Sequence, residues 1–88
     1  MFTQVIDAVL VSIDPDSPVA PYQQVAAILR ERIESGQITV RLPSIAALTQ
    51  EFGIARTTAA KALRILVDEG LAEVSPGMGT YVKKPRQP

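Results

Sequence analysis

The stretch that decides the fold is SIAALTQEFGIARTTAAKALRILVDEG, residues 44–70. Its first third places apolar residues at the three- and four-residue spacing of an amphipathic helix. These residues are Ile45, Leu48 and Phe52. Ser44 stands directly before them as a favourable N-cap, and Gly53 follows them as a stop. The pattern therefore predicts a short helix between Ser44 and Gly53.

A longer helix is predicted from Arg56 to Glu69, and Gly70 ends it. The face that we expect to point inward comprises Ala59, Leu63, Leu66 and Val67. The opposite, polar face comprises Thr57, Lys61, Arg64 and Asp68, which share one azimuth at 100° per residue. Because only the turn Gly53-Ile54-Ala55 separates the two helices, the pair predicts a helix-turn-helix.

The flanking sequence adds a helix before this pair and a hairpin after it. Pro21 suits the first position of a helix, and the helical apolar spacing that follows it continues to Gly36. Residues 71–75 and 80–83 alternate as two strands around the turn Pro76-Gly77-Met78-Gly79. The predicted fold class is mainly α with a small β component: a winged helix-turn-helix of three helices and a β-hairpin wing.

An additional N-terminal strand is predicted from Val5 to Ile13, because this segment is rich in Val and Ile and precedes a turn cluster with two prolines. Both of its faces are largely apolar, so it needs cover from its own domain or from another subunit. We expect three parts: the strand with a Pro-rich connector over residues 1–20, the winged helix-turn-helix over residues 21–83 and a flexible tail over residues 84–88.

Composition excludes several classes of function. The 88 residues contain no Cys, no His and no Trp, which removes thiolate nucleophiles, cysteine zinc sites and the commonest general acid–base. We therefore expect no enzyme activity, no metal and no cofactor. The apolar run of residues 5–13 is interrupted by Asp7 and Ser12 and is too short to cross a bilayer. A cytoplasmic protein without a membrane partner is expected.

The charges are unevenly distributed along the chain. Nine Lys and Arg residues balance nine Asp and Glu residues, which gives a formal net charge of zero. Residues 1–20 contain three Asp and no basic residue, so they carry −3 and the remainder carries +3. The positive remainder is compatible with a nucleic-acid partner, and equally with a solvated mixed surface.

The predicted fold places the start of the longer helix in the major groove of double-stranded DNA. The fork of Arg56 suits a guanine edge, and the hydroxyls of Thr57 and Thr58 suit phosphates. Gly77 and Gly79 at the wing tip let the backbone approach the sugar–phosphate edge closely. These residue types in this order point to DNA recognition.

Other polar residues have two interpretations each. Lys61 and Arg64 either contact DNA or solvate the helix face. Arg41 either contacts phosphate or pairs with a carboxylate such as Glu34 or Glu51. The full set of candidate DNA-binding residues is Arg41, Ser44, Arg56, Thr57, Thr58, Lys61, Arg64, Gly77, Met78 and Gly79.

Seven short motifs lie between residues 21 and 82. They are Pro21-Tyr22-x-Gln24, Ser35-Gly36, Arg41-Leu42-Pro43-Ser44, Phe52-Gly53-Ile54-x-Arg56-Thr57-Thr58, Ala62-Leu63, Glu69-Gly70-Leu71 and Gly77-x-Gly79-Thr80-Tyr81-Val82. In this order and at this spacing they resemble the GntR family of bacterial winged helix-turn-helix transcription regulators. The leading residues 11–18 are similar to the N-terminal strand of compact actinobacterial members.

The resemblance implies a repressor that binds an inverted repeat as a homodimer. Arg56 would read a G in each half-site, and the wing from Ser75 to Thr80 would reach the minor groove. The family normally carries a C-terminal effector-binding or dimerisation domain, whereas this chain ends six residues after Val82. We therefore expect no identifiable effector ligand. We expect the strand of residues 5–13 either to supply the contacts of the dimer or to complete the wing sheet.

The sequence departs from the family pattern at several positions. Ala46, Ala60 and Met78 stand where many members have a basic residue, so three potential DNA contacts are missing. Ala55 replaces the usual Ser or Thr cap, a loss of about 1 kcal/mol of helix capping. The connector after Gly36 is shorter and lacks the usual Pro-Gly.

Two alternative functions use the same fold. The first is a winged-helix module for protein–protein contact, in which Arg56 and Lys61 meet an acidic partner. The second is a DNA-binding accessory factor of a mobile element, which keeps DNA as the partner without regulating transcription.

Overall fold

The computed structural model describes residues 13–83. Within them lie three helices and one two-stranded antiparallel sheet. The elements in chain order are α1 (Pro21–Glu34), α2 (Ile45–Phe52), α3 (Arg56–Asp68), β1 (Ala72–Ser75) and β2 (Gly79–Val82). This order confirms the predicted winged helix-turn-helix. The predicted strand of residues 5–13, except Ile13, and the predicted tail of residues 84–88 lie outside the described residues.

The observed element bounds differ from the predicted ones by single residues. Helix α3 ends at Asp68, and Glu69 is its C-cap. Strand β1 begins one residue later than predicted, and β2 lies one residue earlier, with Ser75 facing Gly79 across the hairpin. Differences of this size are the usual uncertainty of element ends.

The residues at the two ends of α2 set the geometry of the helix-turn-helix. The Ser44 Oγ accepts a hydrogen bond from the Ala47 amide at 3.1 Å, which caps α2 as predicted. Gly53 ends α2 with a φ of +66°, and its amide donates to the Thr49 carbonyl at 2.8 Å. Because side chains rarely tolerate this backbone conformation, glycine suits the position where the chain reverses into α3.

Helix α3 is the centre of the core, since α1, α2 and β1 all pack against it. The buried apolar residues are Val25, Ala26, Leu29, Leu42, Leu48, Ala59, Ala62, Leu63, Leu66 and Ala72. The predicted inward face of α3 is confirmed at Ala59, Leu63 and Leu66. Val67 is only half buried, and Ala62 takes the core position instead. The buried face of α3 therefore includes Ala62 and leaves Val67 at its margin.

The wing has a third strand-like edge that the sequence interpretation missed. Residues 40–42, predicted as part of a connector, run antiparallel to β2. The Val82 amide donates to the Val40 carbonyl at 2.8 Å, and the Leu42 amide donates to the Thr80 carbonyl at 2.9 Å. Leu42 is buried, which ties this edge to the core. The outer edge of β2 is thus already occupied by residues 40–42.

The side chain of Gln24 ties the connector before α1 to the helix. The Gln24 Oε1 accepts from the Asp14 amide at 2.8 Å, and its Nε2 donates to the carbonyls of Asp14 and Val19 at 3.0 and 2.8 Å. Asp14 also caps a tight turn, because its Oδ1 accepts from the Asp16 amide at 3.0 Å. Gln24 therefore fixes residues 14–19 against the first turn of α1.

No helix in residues 13–83 is both long enough and apolar enough to span a membrane.

Candidate DNA-binding surface

The first turn of α3 presents polar side chains and open backbone amides together. Arg56 and Thr57 are exposed, and Thr58 is half buried. Ala55 is the N-cap and provides no side-chain hydrogen bond to the amides of this turn. Amides at a helix N-terminus that lack an internal partner favour a phosphate oxygen nearby. The start of α3 is therefore suited to the DNA backbone as well as to a base edge.

The polar face of α3 is arranged as predicted. Thr57, Lys61, Arg64 and Asp68 are all exposed. The Arg64 Nε lies 3.7 Å from the Asp68 Oδ1, but both side chains are about 70% exposed (76% and 68%). Such a pair is weak in water, so Arg64 remains available to an outside anion.

Arg41 does not pair with a carboxylate in the described part of the chain. The proposed partner Glu51 instead receives Arg32, whose Nη2 lies 2.6 Å from the Glu51 Oε2. The Arg41 Nη2 donates to the Met78 carbonyl at 2.6 Å, and its guanidinium carbon lies 5.6 Å from the centre of the Tyr81 ring. The carboxylate interpretation of Arg41 is therefore wrong, and this residue lies against the wing.

A groove of about 350 Å³ separates the wing from the starts of α2 and α3. Four of the predicted DNA-binding residues line it. They are Arg41, Ser44, Arg56 and Gly79. Arg56 and the Ser44 hydroxyl lie at helix N-termini and suit a phosphate oxygen or a base edge, while Arg41 is bonded to the Met78 carbonyl. The Ser44 Oγ already accepts from Ala47 but keeps its own O–H as a donor.

The other predicted residues lie around this groove. Lys61 and Arg64 continue along α3 and are absent from the groove lining. Gly77 and Met78 form the exposed wing tip, where the Met78 amide donates to the Ser75 carbonyl at 2.8 Å. The structure thus brings Arg41, Ser44, Arg56 and Gly79 together in one groove. Thr58 lines a second groove, with Ile13 and Ala55.

Sequence reasoning missed the aromatic residues that hold two of the cations. The Lys61 Nζ lies 4.9 Å from the centre of the Tyr22 ring, and Arg41 lies over Tyr81. Each pair joins elements far apart in the chain. No periodicity or local motif signals such contacts, so only the folded structure identifies them.

Comparison with known proteins places this surface in a family context. Residues 21–82 match the family described as bacterial regulatory proteins, gntR family. The chain is 43% identical over 67 residues to the mannosyl-D-glycerate transport/metabolism system repressor MngR of Escherichia coli (strain K12). That match covers 74% of this chain but 28% of MngR, so the chain spans less than a third of that relative.

Two solved structures are similar over most of their own length. YtrA from Sulfolobus acidocaldarius, a GntR-family transcription factor, has a TM-score of 0.75 and 34% identity, covering 89% of this chain and 83% of YtrA. The AraR DNA-binding domain in complex with operator ORX1 has a TM-score of 0.69 and 31% identity, covering 80% of this chain and 93% of that domain. The fold is therefore one that has been observed on operator DNA.

Proposed function

This chain belongs to the GntR family of bacterial regulatory proteins, and from that membership we propose that it is a sequence-specific DNA-binding transcriptional regulator of the repressor type. The observation that carries the proposal is the groove in which Arg41, Ser44, Arg56 and Gly79 meet at the start of α3. The similarity to the AraR domain, solved with its operator, supports double-stranded DNA as the partner.

In the proposed complex, α3 lies in the major groove with its N-terminal turn toward the bases. Arg56 is exposed at the first position of α3 and reads a guanine through its two parallel donors. Thr57, Thr58 and the open amides of this turn hold a phosphate. Lys61 and Arg64 contact the backbone further along the helix.

We assign the wing to the minor groove. Its tip, Gly77 and Met78, is exposed, and the neighbouring Gly79 lines the same groove as Arg56 of α3. A glycine at the tip lets the backbone approach the sugar–phosphate edge closely. The Met78 side chain is 57% exposed and carries no charge, so we expect the wing to contribute through shape and backbone contacts.

We further propose a cytoplasmic homodimer on an inverted repeat. An operator with two half-sites matches a protein with two-fold symmetry. Residues 5–13 are apolar on both strand faces and are our candidate for the contact between copies.

Selection from random duplexes followed by titration tests the function. We expect wild-type protein to enrich one inverted-repeat site, and Arg56→Ala to weaken binding by about 5- to 150-fold while relaxing preference at one position of each half-site. Arg64→Ala is the matched control, an exposed arginine of the same helix whose loss lowers affinity without changing preference. Unchanged preference in Arg56→Ala contradicts the base-reading role.

A module for protein–protein contact is the second candidate. The wing exposes three apolar side chains, Val40, Val74 and Met78, each more than half accessible (62%, 61% and 57%). Salt separates the two functions, because phosphate contacts release counterions and specific DNA binding weakens steeply between about 50 and 200 mM salt. A chain that binds no duplex at either salt concentration but retains a protein partner favours this second function.

A further inference from the structure

We propose that Arg41 is a positioning residue that holds the wing tip in the conformation required for DNA. This inference deepens the proposed function and depends on it for the biological consequence. The sequence predicted Arg41 as a DNA-binding residue, through a phosphate contact unless it pairs with a carboxylate, but its shortest hydrogen bond in the structure is internal, to the Met78 carbonyl. Arg41 acts on DNA through the backbone of Gly77, Met78 and Gly79.

The guanidinium of Arg41 links the base of the wing to its tip. Its backbone pairs with Tyr81 in the antiparallel arrangement of residues 40–42 with β2. Its side chain extends from there to the tip, where Nη2 donates to the Met78 carbonyl at 2.6 Å. A bond this short from an ionised donor is among the stronger hydrogen bonds in proteins. The Tyr81 ring, 5.6 Å away, supports the guanidinium from the side.

Gly79 provides the space for this side chain. A Cβ at residue 79 would lie 3.1 Å from the Arg41 Nη2 and 3.3 Å from its Nε, closer than carbon normally approaches these atoms. The φ of Gly79 is +123°, a conformation that side chains rarely adopt. The second glycine of Gly77-x-Gly79 therefore serves Arg41 as well as the hairpin turn.

A wing without this contact has little to fix its tip. Residues 40–42 pair with Thr80 and Val82 but do not reach residues 76–78, which are exposed. An unfixed tip must be ordered when DNA binds, and that ordering lowers affinity. A fixed tip is already ordered in the free protein. If Arg41 positions the tip, removing its side chain changes the order of the tip without DNA; if Arg41 only contacts phosphate, it does not.

Amide hydrogen exchange on the free protein tests the positioning role. We expect Arg41→Ala to speed exchange of the Met78 amide, which is bonded to the Ser75 carbonyl at 2.8 Å, by about five-fold or more. Arg41→Lys keeps one donor and restores most of the protection. Arg64→Ala, the control at an exposed arginine outside the wing, leaves Met78 unchanged. If Arg41→Ala accelerates core amides such as Leu29 equally, the effect is global unfolding and the positioning role is overturned.

Binding to the selected duplex supplies the second measurement. We expect Arg41→Ala to lose hydroxyl-radical protection of the minor groove at the wing while the protection around α3 remains. The slope of log affinity against log salt stays near the wild-type value, whereas Lys61→Ala reduces it by about one for each phosphate that the protein no longer neutralises.

An unchanged Met78 exchange rate, with a slope reduced by about one in Arg41→Ala, assigns Arg41 to a phosphate and overturns the proposal. If the wild-type protein binds no duplex, the proposed function fails, and the exchange comparison still decides whether Arg41 fixes the wing.

Discussion

The Lys61 ammonium lies 4.9 Å from the centre of the Tyr22 ring, which places the first turn of α1 under the polar face of α3. Tyr22 is half buried and Lys61 is exposed. A cation above an aromatic ring at an exposed site gains about 0.5–1 kcal/mol. Tyr22 therefore restricts where the Lys61 charge can be, and it does so on the face that we assign to DNA.

This contact predicts a graded series at residue 22. Tyr22→Leu removes the ring and is expected to weaken DNA binding by about two- to five-fold, because Lys61 then has to be ordered on binding. Tyr22→Phe keeps the ring and is expected to bind like the wild type. Titrations with the selected duplex at fixed salt measure both variants. In a Lys61→Ala background, Tyr22→Leu should have no further effect; a persisting loss would separate Tyr22 from Lys61.

The ion pair between Arg30 and Glu69 makes a second prediction, for stability. It joins α1 to the C-cap of α3 through two parallel bonds, from Nε to Oε1 at 2.9 Å and from Nη2 to Oε2 at 2.7 Å. Both side chains are about one third exposed (33% and 39%). We expect Glu69→Gln to lower the free energy of unfolding by about 0.5–1 kcal/mol, and high salt to reduce the difference. Urea unfolding measures it.

The pH dependence of this pair follows from the direction of the Arg30 pKa. The hydrogen bond that Arg30 donates to the Glu69 carboxylate, and then the negative charge of Glu69, raise the pKa of Arg30 above the ordinary arginine value. The stabilisation by the Arg30 charge is therefore fully present below that ordinary value and is lost only as pH rises through the higher folded-state pKa.

Asp68→Asn is the control for Glu69→Gln in urea unfolding, since Asp68 is 3.7 Å from Arg64 and both are well exposed. If Asp68→Asn lowers the free energy of unfolding as much as Glu69→Gln does, the pair of Arg30 and Glu69 has no specific role in stability.

The parts of the fold that were predictable are those encoded by neighbours in the sequence. The Ser44 cap, the Gly53 reversal and the alternation between buried and exposed sides of α3 depend on residues within one or two helical turns. The local pattern failed at residues 40–42, because their pairing with β2 depends on a strand about 40 positions later in the chain. The alternation Ile38-Thr39-Val40-Arg41-Leu42 is a local strand signal, but it does not indicate which strand is the partner.

The candidate site shows the same division. Arg56, Thr57 and Lys61 could be assigned to the exposed side of α3 from spacing alone. The partner of Arg41 could not, because the choice between Glu51 and the Met78 carbonyl is made by the position of the wing. Charge alone allowed a phosphate or a carboxylate as the partner of Arg41, and in the structure Glu51 pairs with Arg32 instead. Where a side chain can reach groups on several elements, tertiary packing determines which of them it contacts.

Gln24 makes a third prediction, for the connector before α1. Gln24→Glu keeps the acceptor for the Asp14 amide but loses both donations, and it places a carboxylate against the carbonyls of Asp14 and Val19. We expect faster amide exchange over residues 14–19 and a loss of about 1 kcal/mol in the free energy of unfolding. Gln23→Glu introduces the same charge at the exposed neighbouring position and is expected to leave both unchanged. Equal effects from the two variants would attribute the change to charge alone.

The two helix starts make the last prediction, because they have the same backbone but different caps. Ser44 has φ −73° and ψ 168°, and its Oγ caps α2 through the Ala47 amide. Ala55 has φ −71° and ψ 157° before α3 and supplies no cap. Ala55→Thr is therefore expected to stabilise the protein by about 0.5–1 kcal/mol, and Ser44→Ala to destabilise it by about 0.5–2 kcal/mol. Ala55→Val has the shape of Thr without the hydroxyl, so the difference between Thr and Val at residue 55 in urea unfolding isolates the cap. If Val stabilises as much as Thr, the gain comes from packing in the groove of about 390 Å³ that Ala55 lines with Ile13 and Thr58, and the capping argument fails.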